Sequence, residues 1–429
     1  MATKVVVGAQ YGDEGKGKVI DHYSKRARMI VRYGGGANAG HTIEANGQKL
    51  ITHLVPSGIM HPDKICVMGN QMVICPETLW QEITELKKIG LLQNDLKVLK
   101  ISNLAHIVMP YCIALDKLRE AATNKEIGTT GRGIGPTYEL KAARKGIRMG
   151  DLKYPDTLTK LVEKNLAKVN PEIEMLGGTP FVAKDMIDFL NQARERFVPY
   201  ITNVNLLVYE AWKNYQEILF EGAQGMGLDI DHGTYPFVTS SNTLSAAACL
   251  GSGIGPSMIN EVIGVAKAYI TRVGKGPFPT KITNDLEETL RKIGGEYGAT
   301  TGRPRDIGWM DLPQLKYSAR VNGMTGLFIT KLDVLRGINP VRICDYYELG
   351  NERFYNMDEV DGGLLDQIKP HYLEFPGFNE DISDIKSFDY LPAKAKSIAD
   401  NIARRISVRL IGVSVGPNRD QTIIVDNYS

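Results

Sequence analysis

The segment Val5-Val6-Val7-Gly8-Ala9-Gln10-Tyr11-Gly12-Asp13-Glu14-Gly15-Lys16-Gly17-Lys18 constrains the fold more than any other part of the chain. Its three β-branched residues read as a strand, its glycines as a loop, and Val19-Ile20-Asp21-His22-Tyr23 as a helix. That order builds an anion site, because loop amides and a helix N-terminus converge on one point. Gly12-x-x-x-x-Gly17-Lys18 has Walker A spacing, yet Val19 stands where a Ser or Thr would hold Mg²⁺. Asp13 and Glu14 sit inside the loop instead. A carboxylate beside a polyphosphate is repelled unless it binds the metal or moves a proton, so Asp13 is expected to take part in the chemistry.

Further apolar, β-rich runs recur at Met29–Tyr33, Ile65–Met68, Ile218–Phe220, Ile263–Ala266, Gly326–Thr330 and Thr422–Val425. Helical patterns lie between many of them, as at Pro76–Ile89, Thr157–Val169 and Val182–Phe197. This alternation predicts an α/β fold with a large, mostly parallel central sheet and helices on both faces. The stretch from about Asp95 to Phe220 is rich in helical pattern and poor in strands, and reads as a helical insertion. Asn339–Asp389 mixes aromatics, Gly and Pro and predicts small strands and turns. Without repeats or a Pro/Ser linker, residues 1–429 are expected to form one large domain carrying that insertion.

Charge and cysteine content exclude several function classes. Fifty-one Lys and Arg balance 49 Asp and Glu, so no global field draws the chain to nucleic acid or to a membrane surface. No apolar run reaches the roughly 18 residues of a membrane span. Five cysteines without metal-site spacing fit reduced thiols. Lys4 leads directly into the first strand with no leader pattern, and a cytoplasmic setting is expected.

Five other segments carry recognisable chemistry. Gly34-Gly35-Gly36-Ala37-Asn38-Ala39-Gly40-His41-Thr42 follows a strand expected to lie beside the first. Its glycines admit close backbone approach, and His41 can move a proton near neutral pH. Ile127–Pro136 is a second glycine-rich anion candidate. Beyond it Lys141, Arg144, Lys145 and Arg148 form one cationic stripe if helical. In the hydroxyl-rich run from Gly222 to Asn242, Asp229, Asp231 and His232 could pass for a metal cluster, although internal hydrogen bonding suits them better. Gly298–Asp306 combines glycine hinges, threonine donors and two arginines that can grip a carboxylate. Thr330-Lys331-Leu332-Asp333 matches the base-reading signature of guanine-nucleotide proteins, in which an ionised carboxylate accepts from N1–H and the 2-amino group. A nicotinamide-binding Rossmann loop is excluded, since Gly-x-Gly-x-x-Gly is missing from the first loop. A GTPase-like switch would need neither His41 nor the Gly298–Asp306 loop.

Taken in order, these motifs resemble the adenylosuccinate synthetase family from Val5 to Ser414-Val415-Gly416-Pro417-Asn418-Arg419. The resemblance implies a ligase that joins IMP to L-aspartate with GTP hydrolysis, through 6-phosphoryl-IMP, in de novo and salvage AMP synthesis. It implies that Asp13 takes the N1 proton of IMP and that His41 acts as the acid beside the transferring phosphoryl. One Mg²⁺ per subunit would be held by Asp13 and the carbonyl of Gly40. GTP would be bound by Gly12, Asp13, Glu14, Gly15, Lys16, Gly17 and Lys18, by Gly40, His41 and Thr42, and by Arg305. Its guanine would meet Lys331, Leu332, Asp333, Ser414, Val415 and Gly416. IMP would meet Asp13, Glu14, Gly15 and Lys16, then Asn38, Ala39, Gly40 and His41, and also Thr130, Gln224, Thr239 and Arg303. Arg144 would reach its phosphate from the other subunit of a homodimer. Aspartate would sit in Ala299, Thr300, Thr301, Gly302, Arg303, Pro304 and Arg305. Two positions depart from the family pattern: Gly34 stands for a glutamine, and Asp306 for a basic residue.

Overall fold

The computed structural model describes residues 3–45, 48–61, 63–93, 95–123, 127–298 and 302–425, with the backbone alone for 42–45 and 48–50. Val6 packs on one face of the first strand with Ile20, Ile30 and Phe328, while Val5 and Val7 pack on the other with Val31, Tyr33 and Phe220. Both faces of Thr3–Gly8 are therefore apolar and covered, as a central parallel strand requires.

The main sheet runs in the order Thr422–Ile424, Leu410–Ser414, Gly326–Thr330, Glu261–Lys267, Thr3–Gly8, Ile218–Glu221, Met29–Gly35, Ile65–Ile74, Leu99–Ser102 and Ile201–Thr202. His106–Ile107 pairs with the far end of Ile65–Ile74. The described pairings are parallel except at the edge, where Leu410–Ser414 meets Thr422–Ile424 antiparallel. The α/β class with a mostly parallel sheet is thus as expected.

One expectation of strand order is corrected. Met29–Gly35 does not lie beside the first strand, because Ile218–Glu221 is inserted between them. Phe220 pairs with Val5 on one side and Val31 on the other. Ile218, Leu219, Phe220 and Glu221 are all buried, so this short strand belongs in the sheet centre.

Between Pro110 and Phe197 the helices Pro110–Ala122, Ile134–Ala142, Pro155–Met175 and Ala183–Phe197 share a core that includes Leu115, Leu166, Leu190 and Phe197. Beyond residue 309, Met310–Asp311, Val341–Leu349, Glu352–Phe354 and Lys369–Phe375 form a separate four-stranded mixed sheet. The last three of these strands lie within Asn339–Asp389, where the aromatic and Gly/Pro composition suggested small strands, and Met310–Asp311 lies outside it. No described helix is long and apolar enough to cross a membrane. Parallel strands direct their carboxyl ends to one side, so the loops after Gly8, Gly35, Glu221, Lys267, Thr330 and Ser414 gather above one edge of the sheet.

Candidate active site

Those loops line a cavity of about 890 Å³. The first loop is shaped from beneath by Glu14, which is fully buried. Its Oε1 accepts from the Gln10 and Gly12 amides at 3.0 and 2.8 Å, and its Oε2 accepts from Lys16 Nζ at 2.6 Å. Gly8 leaves room for this carboxylate, since a Cβ there would stand 2.6 Å from Glu14 Oε2. Gly12, Asp13 and Gly15 take left-handed conformations, and helix Lys16–Ser24 starts immediately after them. Asp13 is thereby turned to the cavity, while Glu14 does not line it. Lys18 Nζ donates to Ser414 Oγ at 2.8 Å and to the carbonyls of Gly416 and Gln421 at 2.7 and 2.9 Å. The lysine at the Walker position thus clips the C-terminal turn to the phosphate loop.

His41 ends the second loop and lines the cavity. Its Nδ1 hydrogen-bonds the buried carboxylate of Glu221, which also accepts from Ser57 Oγ at 2.7 Å and the Ser57 amide at 2.8 Å. Burial opposes ionisation of Glu221, but His41 and Arg32 outweigh it and hold the carboxyl below its usual range. With Nδ1 committed, Nε2 is the ring nitrogen left for a ligand. Arg32, buried in the middle of strand Met29–Gly35, donates to the carbonyls of His53 and Gly36 and fixes the loop base. Asn38 accepts from the Gly36 amide at 3.1 Å and donates to Thr239 at 3.3 Å, bringing two expected IMP contacts together.

Gln224 and Asp333 bear most directly on what the cavity can bind. Both line the cavity, and both amide atoms of Gln224 and Oδ1 of Asp333 are buried without a hydrogen-bond partner. Such groups are costly unless a ligand satisfies them. Burial pushes the Asp333 carboxyl up. Lys331, left-handed at φ 57°, donates to the Gly294 carbonyl at 2.6 Å and to Glu296 at 2.7 Å. Arg305 Nε stands 2.9 Å from Asp13 Oδ2, and its Nη1 donates to Glu296 at 2.5 Å.

Gly12, Asp13, Gly15, Lys16, Gly17, Lys18, Asn38, Ala39, Gly40, His41, Thr130, Gln224, Thr239, Arg303, Arg305, Lys331, Asp333, Ser414 and Gly416 are brought to this one cavity. Leu332 is buried in the core, and Val415 faces a smaller cavity of about 290 Å³ behind Asp333. Gly302 and Pro304 belong to the arginine loop without lining the cavity. Ala299, Thr300 and Thr301, and the side chain of Thr42, lie outside the described residues. The cationic stripe is corrected: the helix runs only Ile134–Ala142 and Arg144 is left-handed at φ 60°, so the four cations do not share a helical face. Arg144 is exposed and does not line the cavity of its own chain. Asp229 accepts from the amides of Asp231, His232 and Thr243, the internal bonding expected of that run.

Sequence reading missed Glu221 as the partner of His41, as well as Ser57, Glu296 and the cavity-lining Val273-Gly274-Lys275. For the last, Val273-Gly274-Lys275-Gly276 carried a glycine–lysine signal, whereas the acids had none beyond being charged residues near buried strands.

The family model for adenylosuccinate synthetase matches residues 5–423. Adenylosuccinate synthetases of Geobacter sulfurreducens and Geotalea daltonii are 46% and 47% identical over 429 residues, covering 100% of this chain and 99% of each relative. The structure of fully ligated adenylosuccinate synthetase from Plasmodium falciparum superposes with a TM-score of 0.93 at 36% identity, covering 99% of this chain and 100% of that one. Succinoaminodeoxyadenylate synthetase of cyanophage S-2L shares the fold at 18% identity, with a TM-score of 0.63 and coverage of 99% and 96%. The chain belongs to the adenylosuccinate synthetase family.

Proposed function

We propose that the cavity binds GTP, IMP and L-aspartate together and ligates IMP to aspartate, releasing GDP and phosphate. The observation that carries this reading is the pair of unsatisfied buried side chains, Gln224 and Asp333, facing the same cavity as Asp13 and His41. Asp333 suits a guanine edge, which offers two donors where adenine offers an acceptor and a C–H. Gln224, with Asn38 and Thr239, suits a purine nucleotide carrying both donors and acceptors.

In the first step Asp13 accepts the N1 proton of IMP as O6 attacks the γ-phosphorus of GTP and the bond to the GDP oxygen breaks. His41, oriented by Glu221, donates through Nε2 to the charge that develops there. In the second, the aspartate amine bonds to C6, the C6–O6 bond breaks so that phosphate leaves carrying O6, and the surplus amine proton passes to the departing phosphate. Arg303 and Arg305 grip the aspartate carboxylates. The loop amides and Lys16 neutralise phosphate charge.

No cluster of three or more metal-ligating side chains occurs among the described residues. A carboxylate at Asp13 and the carbonyl of Gly40 nevertheless fit one Mg²⁺, which commonly takes one or two protein oxygens and completes its shell with phosphates and water. That ion would neutralise phosphate charge when bound. Arg144, outside its own cavity, fits a contribution to the IMP phosphate from the second subunit of a homodimer. We place this enzyme in the cytoplasm.

One assay tests the reading. Adenylosuccinate should form only when IMP, aspartate and GTP are all present, and Asp13→Ala should lower turnover on the order of 10²–10⁴-fold while GTP still binds. Product formation without one of the three substrates, or near-normal turnover of that variant, would reject it.

A further inference from the structure

Glu296 has no part in the steps above, yet it is fully buried directly behind the cavity wall formed by Gly294, Gly295 and Tyr297. Its carboxylate collects four donors. Oε2 accepts from Lys267 Nζ at 2.8 Å and Arg305 Nη1 at 2.5 Å. Oε1 accepts from Tyr269 Oη at 2.5 Å and Lys331 Nζ at 2.7 Å. Lys267 and Tyr269 are themselves buried and would suffice to satisfy both oxygens. The other two donors, Arg305 and Lys331, face the cavity.

The backbone repeats the connection. The Arg305 amide donates to the Glu296 carbonyl at 3.0 Å, and the Gly298 amide to the Arg303 carbonyl at 2.8 Å, so Glu296 and Arg305 close the base of the arginine loop. Lys331 is held a second time by the Gly294 carbonyl, two residues before Glu296. Burial alone would favour the neutral acid, but Lys267, Lys331 and Arg305 outweigh it and hold the carboxyl well below the usual range. The continuous chain Asp13–Arg305–Glu296–Lys331 thus runs from the proposed catalytic base to the base-reading strand end.

We propose that Glu296 is a positioning residue that sets Arg305 and Lys331 against each other, so that the aspartate loop and the guanine pocket are assembled as one unit. This rests on the assignment of the arginine loop to aspartate and of Lys331 to guanine made above. A glutamine at this position is nearly isosteric but has one acceptor atom, so it cannot hold Arg305 on one side and Lys331 on the other. An aspartate keeps the charge but is one methylene too short to span both.

The test is steady-state kinetics of Glu296→Gln and Glu296→Asp in the full chain, with thermal melting alongside. The KM values for aspartate and GTP should rise together by about tenfold or more in the glutamine variant, the scale of losing one charge-assisted hydrogen bond at each site. The KM for IMP should stay within about twofold. The aspartate variant should show the same paired rise, and it carries the comparison if the glutamine variant does not fold. A rise for only one of the pair, an equal rise for IMP, or a lower melting temperature with all three KM values unchanged would overturn the proposal. The underlying assignment is checked separately. Arg303→Leu should raise the KM for aspartate, and Asp333→Asn should shift base preference from guanine toward xanthine. Failure of either would fault the subsites rather than the role of Glu296.

Discussion

Under His41, the Glu221 carboxylate accepts from the imidazole and twice from Ser57, and in the proposed reaction its buried charge is what would make the ring a useful acid. Burial lowers the pKa of His41 and the Glu221 charge raises it. Glu221→Gln keeps a hydrogen bond but removes that opposing charge, so the imidazole pKa must fall further. Turnover should drop about 10- to 100-fold with substrate KM values little changed, and the alkaline limb of the rate profile should move to lower pH. A profile unmoved from wild type would separate His41 from the acid role. His41 was legible in the sequence because it ends a glycine loop after a strand. Glu221 was not, because it is 180 residues away and meets His41 only once Ile218–Glu221 is inserted into the sheet.

At the scale of elements, buried charge also joins the second sheet to the helix beside it. Asp311 caps helix Leu312–Asn322 by accepting from the Gln314 amide at 3.1 Å, and Tyr347 Oη donates to both its oxygens at 2.6 and 2.7 Å. Burial raises this carboxyl to about 6, against the opposing pull of those hydrogen bonds. A folded pKa raised above the unfolded one contributes stability that is complete below about pH 4 and is lost as pH rises through about 6. The loss amounts to about 3 kcal/mol by pH 8. Asp311→Asn does not titrate, so relative to wild type it should gain that much between pH 4 and pH 8, seen as a change in the gap between their melting temperatures. A gap independent of pH would show that burial does not raise the carboxyl above its usual range. Element type was readable from periodicity at Thr3–Gly8, Gly326–Thr330 and Ala183–Phe197, where apolar spacing is regular. Strand order was not, since pairing depends on long-range contacts that no local pattern encodes. The same limit defeated the cationic stripe, where Arg144 leaves the helix in a left-handed turn.

The whole molecule poses the question of how many chains make one site. Arg144 is exposed and outside its own cavity, yet it follows the Gly128–Pro136 loop, whose Thr129, Thr130 and Arg132 do line it. If each site takes Arg144 from a second subunit, Arg144→Leu and Asp13→Ala damage different chains of the same site. In a mixed dimer, one site carries both lesions and the other carries neither. Random reassortment makes half of the dimers mixed, so about a quarter of wild-type activity should return when two inactive proteins are unfolded or dissociated together and reassembled. The recovered activity should scale with the product of the two subunit fractions and vanish when either variant is present alone. No recovery, with mixed dimers verified by differently tagged chains, would overturn the contribution of Arg144 across subunits.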